Sequence, residues 1–246
     1  MIPLCGRFAR FSPAHVFRLL FQLEEFTNLP PQYNISPGQN IYAVRGIVLR
    51  QERTPNENSL KRIQKEVVPL QWGLVPFWTK EPTLGPINAR AETLTQKPYF
   101  KTAFKRHRCL IPVDGFYEWQ KTPGGSKQPY FIRMANAKPF ALAGIWDRWE
   151  GPNSRIIESC AIITTKPNKL LKTIHNRMPA IIPPSAFDTW LDPSPESQER
   201  ALALLKPFEA QKLEAYAVGD YVNNTKNEGE QCILPKRDRY KQQKLF

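Results

Sequence analysis

Apolar side chains recur at helical spacing near the start of the chain. Ser12 is a good N-cap and Pro13 suits the first helical position, so a helix is predicted to begin there. Apolar residues then follow at the spacing of one helix face. They are Val16, Phe17, Leu19, Leu20, Leu23 and Phe26. Residues 27–40, with three prolines and a glycine, predict a loop after this helix.

Short apolar runs bounded by turn residues predict strands along most of the remaining chain. The predicted strands cover residues 41–49, 67–75, 109–119, 129–134, 140–149, 160–165 and 213–218. The Thr-Pro-Gly-Gly-Ser stretch at 122–126 is predicted to join the third and fourth of these strands in a hairpin. Residues 50–65 are polar and charged, which predicts a surface excursion.

The other predicted helices are short and cover residues 99–107, 168–174, 185–191 and 196–205. Strands at short intervals with hairpin turns, and few long crossover helices, favour an α+β fold with a mainly antiparallel sheet. Neither an internal repeat nor a linker divides the chain. A single compact domain is therefore predicted over residues 1–234, followed by a basic tail at 235–246.

Positive charge is the first indication of function. The 246 residues include 35 Lys and Arg against 22 Asp and Glu, a net charge of +13. The last eleven residues contribute +4 of this charge and the rest of the chain +9. Such an excess favours a polyanionic partner, and nucleic acid before a membrane surface. The alternative is a basic tail that serves only solubility.

Several protein classes are excluded by missing signals. The chain has neither an apolar run of about 20 residues nor an N-terminal leader, so a cytoplasmic protein, nucleoid-associated in a bacterium, is expected. A monomer that does not bind membranes is also expected. The cysteines are far apart and form no C-x-x-C pair, which predicts free thiols and no metal site. Phosphate-loop, dinucleotide, esterase-elbow and zinc-protease motifs are absent.

Three short segments contain candidate chemistry. In the predicted strand around Glu118, Phe116 shares its face, and an apolar neighbour raises the pKa of a carboxyl and suits it to general acid chemistry. The alternative is a solvated Glu on an edge strand. His175 stands in a polar turn, where it is either catalytic or structural. Asn88 and Arg90 follow a proline-rich loop, which is consistent with a helix start that binds phosphate.

Six segments in a fixed order resemble the SOS response associated peptidase (SRAP) family. Each is unspecific alone, whereas the ordered series is highly specific. The resemblance runs from Cys5 to about Gly229, so only the basic tail lies outside it. The segments are residues 5–8, 33–38, 71–76, 87–93, 113–119 with 127–131, and 174–179.

The resemblance implies covalent capture of abasic sites in single-stranded DNA through an N-terminal cysteine, without a metal or an organic cofactor. It also implies a compact α+β domain around a barrel-like sheet. The implied catalytic residues are Cys5 as nucleophile, Asn88 positioning the sugar or the cysteine, and Glu118 and His175 moving protons. The implied DNA-binding residues are Arg7, Asn34, Pro37, Trp78, Arg90, Thr164 and Arg177.

The chemistry of an abasic site explains an N-terminal cysteine. The ring-opened sugar presents an aldehyde, which a free α-amine attacks to form an imine, and the adjacent thiol then closes a five-membered thiazolidine. An α-amine has a pKa of about 7.8 and a lysine about 10.4, so roughly several hundred times more of the α-amine is unprotonated near neutrality. Cys5 is therefore a better nucleophile for this reaction than a surface lysine.

The sequence departs from the family pattern at its start, because Met1-Ile-Pro-Leu4 precedes Cys5. An internal Cys5 has an amide nitrogen, which cannot form an imine. The active form is therefore predicted to begin at Cys5, through removal of residues 1–4 or translation from another start. Removal of Met1 alone does not expose Cys5.

Three functions remain open from the sequence. The first is abasic-site crosslinking with lyase-like character. The second is a cysteine peptidase that uses Cys5, His175 and Glu118 and acts on its own N-terminus. The third is a noncovalent module for single-stranded DNA in which Cys5 is a structural thiol.

Overall fold

A computed structural model describes residues 5–26, 28–48 and 63–236, with thirteen strands and four α-helices among them. No helix in these ranges has the length and apolar character needed to cross a membrane. The helices are α1 (Ala14–Phe21), α2 (Pro98–Arg106), α3 (Phe187–Leu191) and α4 (Gln198–Ala203). The strands are β1 (Phe8–Arg10), β2 (Gln32–Ile35), β3 (Asn40–Val48), β4 (Ile63–Trp72), β5 (Asn88–Arg90), β6 (Arg108–Val113), β7 (Gly115–Lys121), β8 (Lys127–Met134), β9 (Phe140–Glu150), β10 (Ile156–Thr165), β11 (Met178–Pro179), β12 (Ile181–Ile182) and β13 (Leu213–Ala217).

Five strands close into a barrel in the order β10, β4, β3, β6 and β9, because β9 also pairs with β10. The pairing of β10 with β4 and with β5 is parallel, and the other pairs in the barrel are antiparallel. Closure leaves no unpaired edge in the ring. The prediction of a single compact α+β domain around a barrel-like sheet is confirmed.

A second sheet, in the order β13, β8, β7, β1 and β2, places β1 between β7 and β2. β1 pairs antiparallel with β7, with Phe8 opposite Phe116. The backbone N–H of Tyr117 also donates to the carbonyl of Arg7 at 3.0 Å. This register places the residues just before β1 beside Glu118, more than a hundred positions later in the chain.

The apolar faces of these elements bury two main cores. One core packs helices α1 to α3 against the barrel around Phe17, Phe104 and Trp190. The other lies between the two sheets and contains Phe8 and Phe116. Each such side chain contributes about 1.5–3 kcal/mol when it is fully removed from water. This packing fixes β1, which follows Cys5, and β7, which contains Glu118.

Several predicted elements differ from the structure. The predicted loop over 27–40 contains β2, whose short polar sequence hides its pairing with β1. The predicted strand at 109–119 is divided at Asp114, whose carboxylate accepts the backbone N–H of Ser12 at 2.8 Å. Asn88–Arg90 is strand β5 instead of a helix start, because β10 pairs with it. Residues 168–174 form only a one-turn 3₁₀ helix, Leu171–Thr173.

Other boundaries shift by a few residues. The first helix stops at Phe21 because Gln22 adopts a left-handed conformation, φ 55°. Strand β4 starts at Ile63, inside the predicted surface excursion, and the rest of that excursion up to residue 62 lies outside the described residues. Most of the predicted basic tail, residues 237–246, also lies outside them. The hairpin at 122–126 between β7 and β8 is confirmed.

Candidate active site

Cys5 and Glu118 form a buried pair at the centre of the second sheet, exposed by 4% and 2% respectively. The backbone N–H of Cys5 donates to Glu118 Oε1 at 2.9 Å, and the thiol donates to the same oxygen at 2.8 Å. Cys5 adopts a left-handed backbone conformation, φ 43°, which is uncommon for a residue with a side chain. This turn directs both the nitrogen and the sulfur of Cys5 to one carboxylate oxygen.

The pKa of Glu118 is raised to about 7, and burial is the largest cause. Hydrogen bonds from the Cys5 thiol and from the backbone of Cys5 and Trp119 act in the opposite direction. The expected desolvation of Glu118 beside Phe116 is confirmed. A carboxyl with a pKa near neutrality exists in both protonation states, so it can donate and accept a proton at working pH.

The thiol of Cys5 has its pKa raised well above the usual value, first by burial and then by the neighbouring Glu118. Arg177 acts weakly in the opposite direction. Cys5 is therefore a neutral thiol at neutral pH and needs a base before it attacks an electrophile. Glu118 Oε1 is the acceptor in contact with it.

His175 lies on the other side of the same carboxylate, with Nδ1 3.9 Å from Glu118 Oε2. This separation is longer than a hydrogen bond. Burial lowers the pKa of His175, and the positive charges of Lys127, Arg177 and Lys121 lower it further. The imidazole is therefore neutral at pH 7, and its Nδ1 accepts the backbone N–H of Arg177 at 3.2 Å.

Arg177 is held by an acidic residue that the sequence analysis did not select. Its Nη1 and Nη2 donate to the two carboxylate oxygens of Glu92 at 2.7 and 2.9 Å. Nη2 also donates to the carbonyl of Thr164 at 2.6 Å. Glu92 lies inside one of the quoted segments, but its pairing with a residue 85 positions later is a tertiary contact that no local spacing reveals.

Two predicted DNA-binding residues, Arg7 and Asn34, have internal partners in the structure. Arg7 is 6% exposed, and its Nη1 donates to the Asn34 side-chain oxygen at 2.5 Å and to the carbonyl of Val222 at 2.8 Å. Asn34 is fully buried and donates to the carbonyls of Asn224 and Asn227 at 2.9 and 2.8 Å. The pair anchors residues 222–227 over the sheet, and its contact with DNA stays a prediction.

Trp78 and Arg90 are exposed, in contrast to Arg7. Trp78 is 52% exposed and packs edge-on against Tyr99, with ring centroids 5.8 Å apart. Phe77, which the sequence analysis did not select, is equally exposed. Its backbone N–H donates to the buried Asp147 at 3.0 Å, which fixes the loop that presents both rings.

Asn88, Arg90 and Thr164 are brought together by the parallel pairing of β5 with β10. Asn88 and Arg90 lie on one face of β5, two residues apart, with Asn88 half-buried and Arg90 exposed. Thr164 is buried and in register with Arg90. Pro37 is half-buried in the turn between β2 and β3.

A cavity of about 400 Å³ lies beside the Glu118–His175 pair. Its lining includes three lysines, Lys121, Lys127 and Lys172. The four cysteines of the chain are buried free thiols. In the described ranges, no group of three or more His, Cys, Asp or Glu side chains is arranged to hold a metal ion. The arrangement favours proton transfer and nucleophilic chemistry centred on Cys5.

Comparison with known proteins finds relatives over most of the chain. The family model for SOS response associated peptidase (SRAP) matches residues 4–225. The abasic site processing protein YoqW of Bacillus subtilis is 38% identical over 237 residues, covering 94% of this chain and 99% of YoqW. The mouse abasic site processing protein HMCES is 31% identical over 276 residues, covering 94% of this chain and 76% of HMCES.

A solved structure gives the same result for the fold. The crystal structure of a protein from Bacteroides thetaiotaomicron is 27% identical and superimposes with a TM-score of 0.75, covering 95% of this chain and 100% of that one. The family match, the relatives and the shared architecture lead to one conclusion. The chain belongs to the SOS response associated peptidase (SRAP) family.

Proposed function

We propose that this protein processes abasic sites in DNA by capturing them covalently through Cys5 in single-stranded regions. The observation that carries the proposal is the shared contact of the Cys5 nitrogen and sulfur with Glu118 Oε1, at 2.9 and 2.8 Å. Cysteine contributes these two atoms to a thiazolidine ring, and both donate hydrogen bonds to one carboxylate that can transfer protons. The relatives YoqW and HMCES, both named abasic site processing proteins, support the substrate.

The proposed reaction balances with the loss of one water. Protonated Glu118 donates to the sugar ring oxygen and takes back the proton of the C1 hydroxyl as the bond between C1 and the ring oxygen breaks, which leaves an aldehyde. The free α-amine of Cys5 adds to the aldehyde carbon, and water leaves to give an imine. The thiol then forms the carbon–sulfur bond, and its proton passes through Glu118 to the former imine nitrogen. A pKa of about 7 suits Glu118 to both directions of transfer.

His175 serves the same carboxyl as a neutral imidazole. It lies close enough to exchange a proton with Glu118 Oε2 after a small movement of either side chain, from a starting distance of 3.9 Å. We assign it the return of protons during closure or reversal of the linkage. Asn88 positions the sugar from β5.

Binding of the strand uses exposed Trp78 and Arg90, together with Arg177, which exchanges its ion pair with Glu92 for a phosphate. Arg90 and Arg177 neutralise phosphates, and Trp78 stacks on a neighbouring base. An unpaired nucleotide without a base is the least costly to extrude, since neither stacking nor pairing has to be broken. Single-stranded DNA with an abasic site is therefore the proposed partner.

The second candidate function is self-cleavage before Cys5, which would supply the free amine. The Cys5 sulfur attacks the carbonyl carbon of Leu4, the nitrogen of Cys5 takes a proton as the amide bond breaks, and water hydrolyses the resulting thioester. The contact of the thiol with Glu118 favours this chemistry, because a base is already in place. The products are a peptide ending at Leu4 and a chain beginning at Cys5.

Incubation with oligonucleotides tests the proposal. Wild-type protein is expected to form a heat-stable band on a denaturing gel with a single strand that contains an abasic site. It is expected to form none with the undamaged strand, less with a duplex, and none as Cys5→Ala. A band of equal intensity with the undamaged strand would overturn the proposal. Binding without any band, using protein that begins at Cys5, would favour the noncovalent module.

A further inference from the structure

The cavity beside Glu118 and His175 has an unusual concentration of positive charge. Lys121 and Lys127 lie directly opposite each other at the end of the β7–β8 hairpin, and Lys172 lines the same cavity from the 3₁₀ turn Leu171–Thr173. Like charges directly opposite on paired strands destabilise a sheet. In the part of the chain that the structure describes, none of the three lysines forms an ion pair.

The walls of this cavity are tied together. The Gln120 side chain donates to the carbonyl of Thr173 at 2.7 Å and so joins the hairpin to the 3₁₀ turn. Tyr130 donates in turn to the Gln120 oxygen at 3.2 Å. The volume of about 400 Å³ falls within the range of ligand pockets and is ample for one phosphate group and part of its nucleotide. The cavity is a preformed basic pocket.

The position of the pocket limits what it can hold. Glu118 and His175 form part of its lining, and Glu118 also contacts both reactive atoms of Cys5. Each sugar of a strand is bonded to one phosphate on its 5′ side and one on its 3′ side. A sugar in contact with Glu118 therefore lies at the edge of this pocket, and its phosphates are the anions of the strand nearest to the three lysines. Burial is the largest cause of the lowered pKa of His175, and the charges of Lys127 and Lys121 lower it further.

We propose that Lys121, Lys127 and Lys172 form a subsite for one of the two phosphodiesters that flank the captured sugar. This inference rests on the proposed function. It adds an anion site whose lining contains neither Arg90 nor Arg177. A phosphate between Lys121 and Lys127 also removes the repulsion between their charges.

Neutralising single phosphates tests the subsite. The probes are single strands that carry a tetrahydrofuran abasic analogue, which cannot open to an aldehyde, with a neutral methylphosphonate on its 5′ or 3′ side. The protein variants are wild type, Lys121→Gln/Lys127→Gln and the charge-matched control Lys138→Gln/Lys206→Gln. Lys138 and Lys206 are exposed and do not line the cavity. A melting curve for each variant establishes that it is folded.

For wild type, one of the two methylphosphonates is expected to weaken binding about tenfold, as the loss of a charge-assisted contact does. The Lys121→Gln/Lys127→Gln variant is expected to lose about tenfold on the unmodified probe, to show a salt slope lower by about 0.7 per lost contact, and to be insensitive to the methylphosphonate. The control variant is expected to behave as wild type.

Two results would overturn the subsite. One is a wild-type affinity that neither methylphosphonate changes, and the other is equal sensitivity of wild type and the pocket variant. Failure of the proposed function is separate, because it would appear as normal binding to the analogue without a covalent product on a true abasic site.

Discussion

Around Cys5 and Glu118 the polar groups are buried and bonded to one another, whereas around Trp78 and Arg90 they are exposed to solvent. Burial changes the chemistry of the first region, since it raises the pKa of Glu118 to about 7. Exposure leaves the side chains of the second region open to a ligand. The contrast teaches that the rate of capture and the affinity for DNA depend on different residues and can be changed separately.

The largest expected effect is on the rate at the buried pair. Glu118→Gln keeps the size of the side chain and an acceptor for Cys5 but can neither donate nor accept the reacting proton. We expect the rate of crosslinking at saturating DNA to fall about a hundredfold to ten-thousandfold, with noncovalent affinity nearly unchanged. Single-turnover kinetics on denaturing gels measure the rate. Equal rates for the variant and wild type would make the carboxylate structural.

The same substitution is expected to stabilise the protein at high pH. Folding raises the pKa of Glu118 from 4.5 to about 7, so the folded state binds the proton more tightly and stability falls as pH rises between these values. The full shift corresponds to about 3 kcal/mol as an order of magnitude. The free energy of unfolding of Glu118→Gln minus that of wild type should therefore be more positive at pH 8 than at pH 5.

Denaturant titrations at the two pH values measure this difference. Glu199→Gln, at an exposed position on α4, serves as the control, and its free energy of unfolding should follow that of wild type at both pH values. A stability difference between Glu118→Gln and wild type that is the same at pH 5 and pH 8 would contradict a raised pKa at Glu118.

In the exposed region, a substitution is expected to change the affinity for DNA and to leave the crosslinking rate unchanged. Trp78→Ala removes a ring that is 52% exposed and should weaken binding of a single strand by about 1–3 kcal/mol, the contribution of one stacked base. The crosslinking rate at saturating DNA should change little. Fluorescence anisotropy measures the affinity, with Tyr221→Ala as an exposed aromatic control. A fall in the saturated rate with unchanged affinity would assign Trp78 to the chemistry.

The smallest expected effect distinguishes two arginines, Arg7 and Arg90, that the family resemblance implies as DNA-binding residues. Arg90→Ala should weaken binding several-fold and lower the salt slope by about 0.7, because one phosphate contact is lost. Arg155→Ala, also exposed, is its control.

Arg7→Gln should instead lower the stability of the protein by about 1–3 kcal/mol, because the bonds of Arg7 to Asn34 and Val222 are lost, and should leave the salt slope unchanged. A lower salt slope for Arg7→Gln without a loss of stability would show that Arg7 contacts a DNA phosphate.

Local patterns were sufficient for part of the site. The two-residue period of a strand places Phe116 and Glu118 on one face, which predicts a raised pKa for the Glu118 carboxyl. The hairpin at 122–126 followed from its turn residues. These features depend on neighbours in the chain and on general rules for burial.

Contacts between distant segments could not be predicted in the same way. The Cys5–Glu118 pair depends on the pairing of β1 with β7, and a strand of only three residues has too little period to be recognised. Arg7 contacts Val222, 215 positions later, and Asn34 contacts Asn227, 193 positions later. Glu92 meets Arg177 across the fold. The family resemblance selected Cys5, Glu118 and His175, but the structure distinguishes Arg7 from Arg90.

The most direct test of the central claim is the mass of the protein that crosslinks. Thiazolidine formation requires a primary amine on Cys5, so the active protein should begin at Cys5, without Met1-Ile-Pro-Leu4. Mass spectrometry of the crosslinked product should give the mass of that chain plus the oligonucleotide minus one water, with the adduct on the peptide that starts at Cys5. Normal crosslinking by protein that retains residues 1–4 would contradict the amine mechanism.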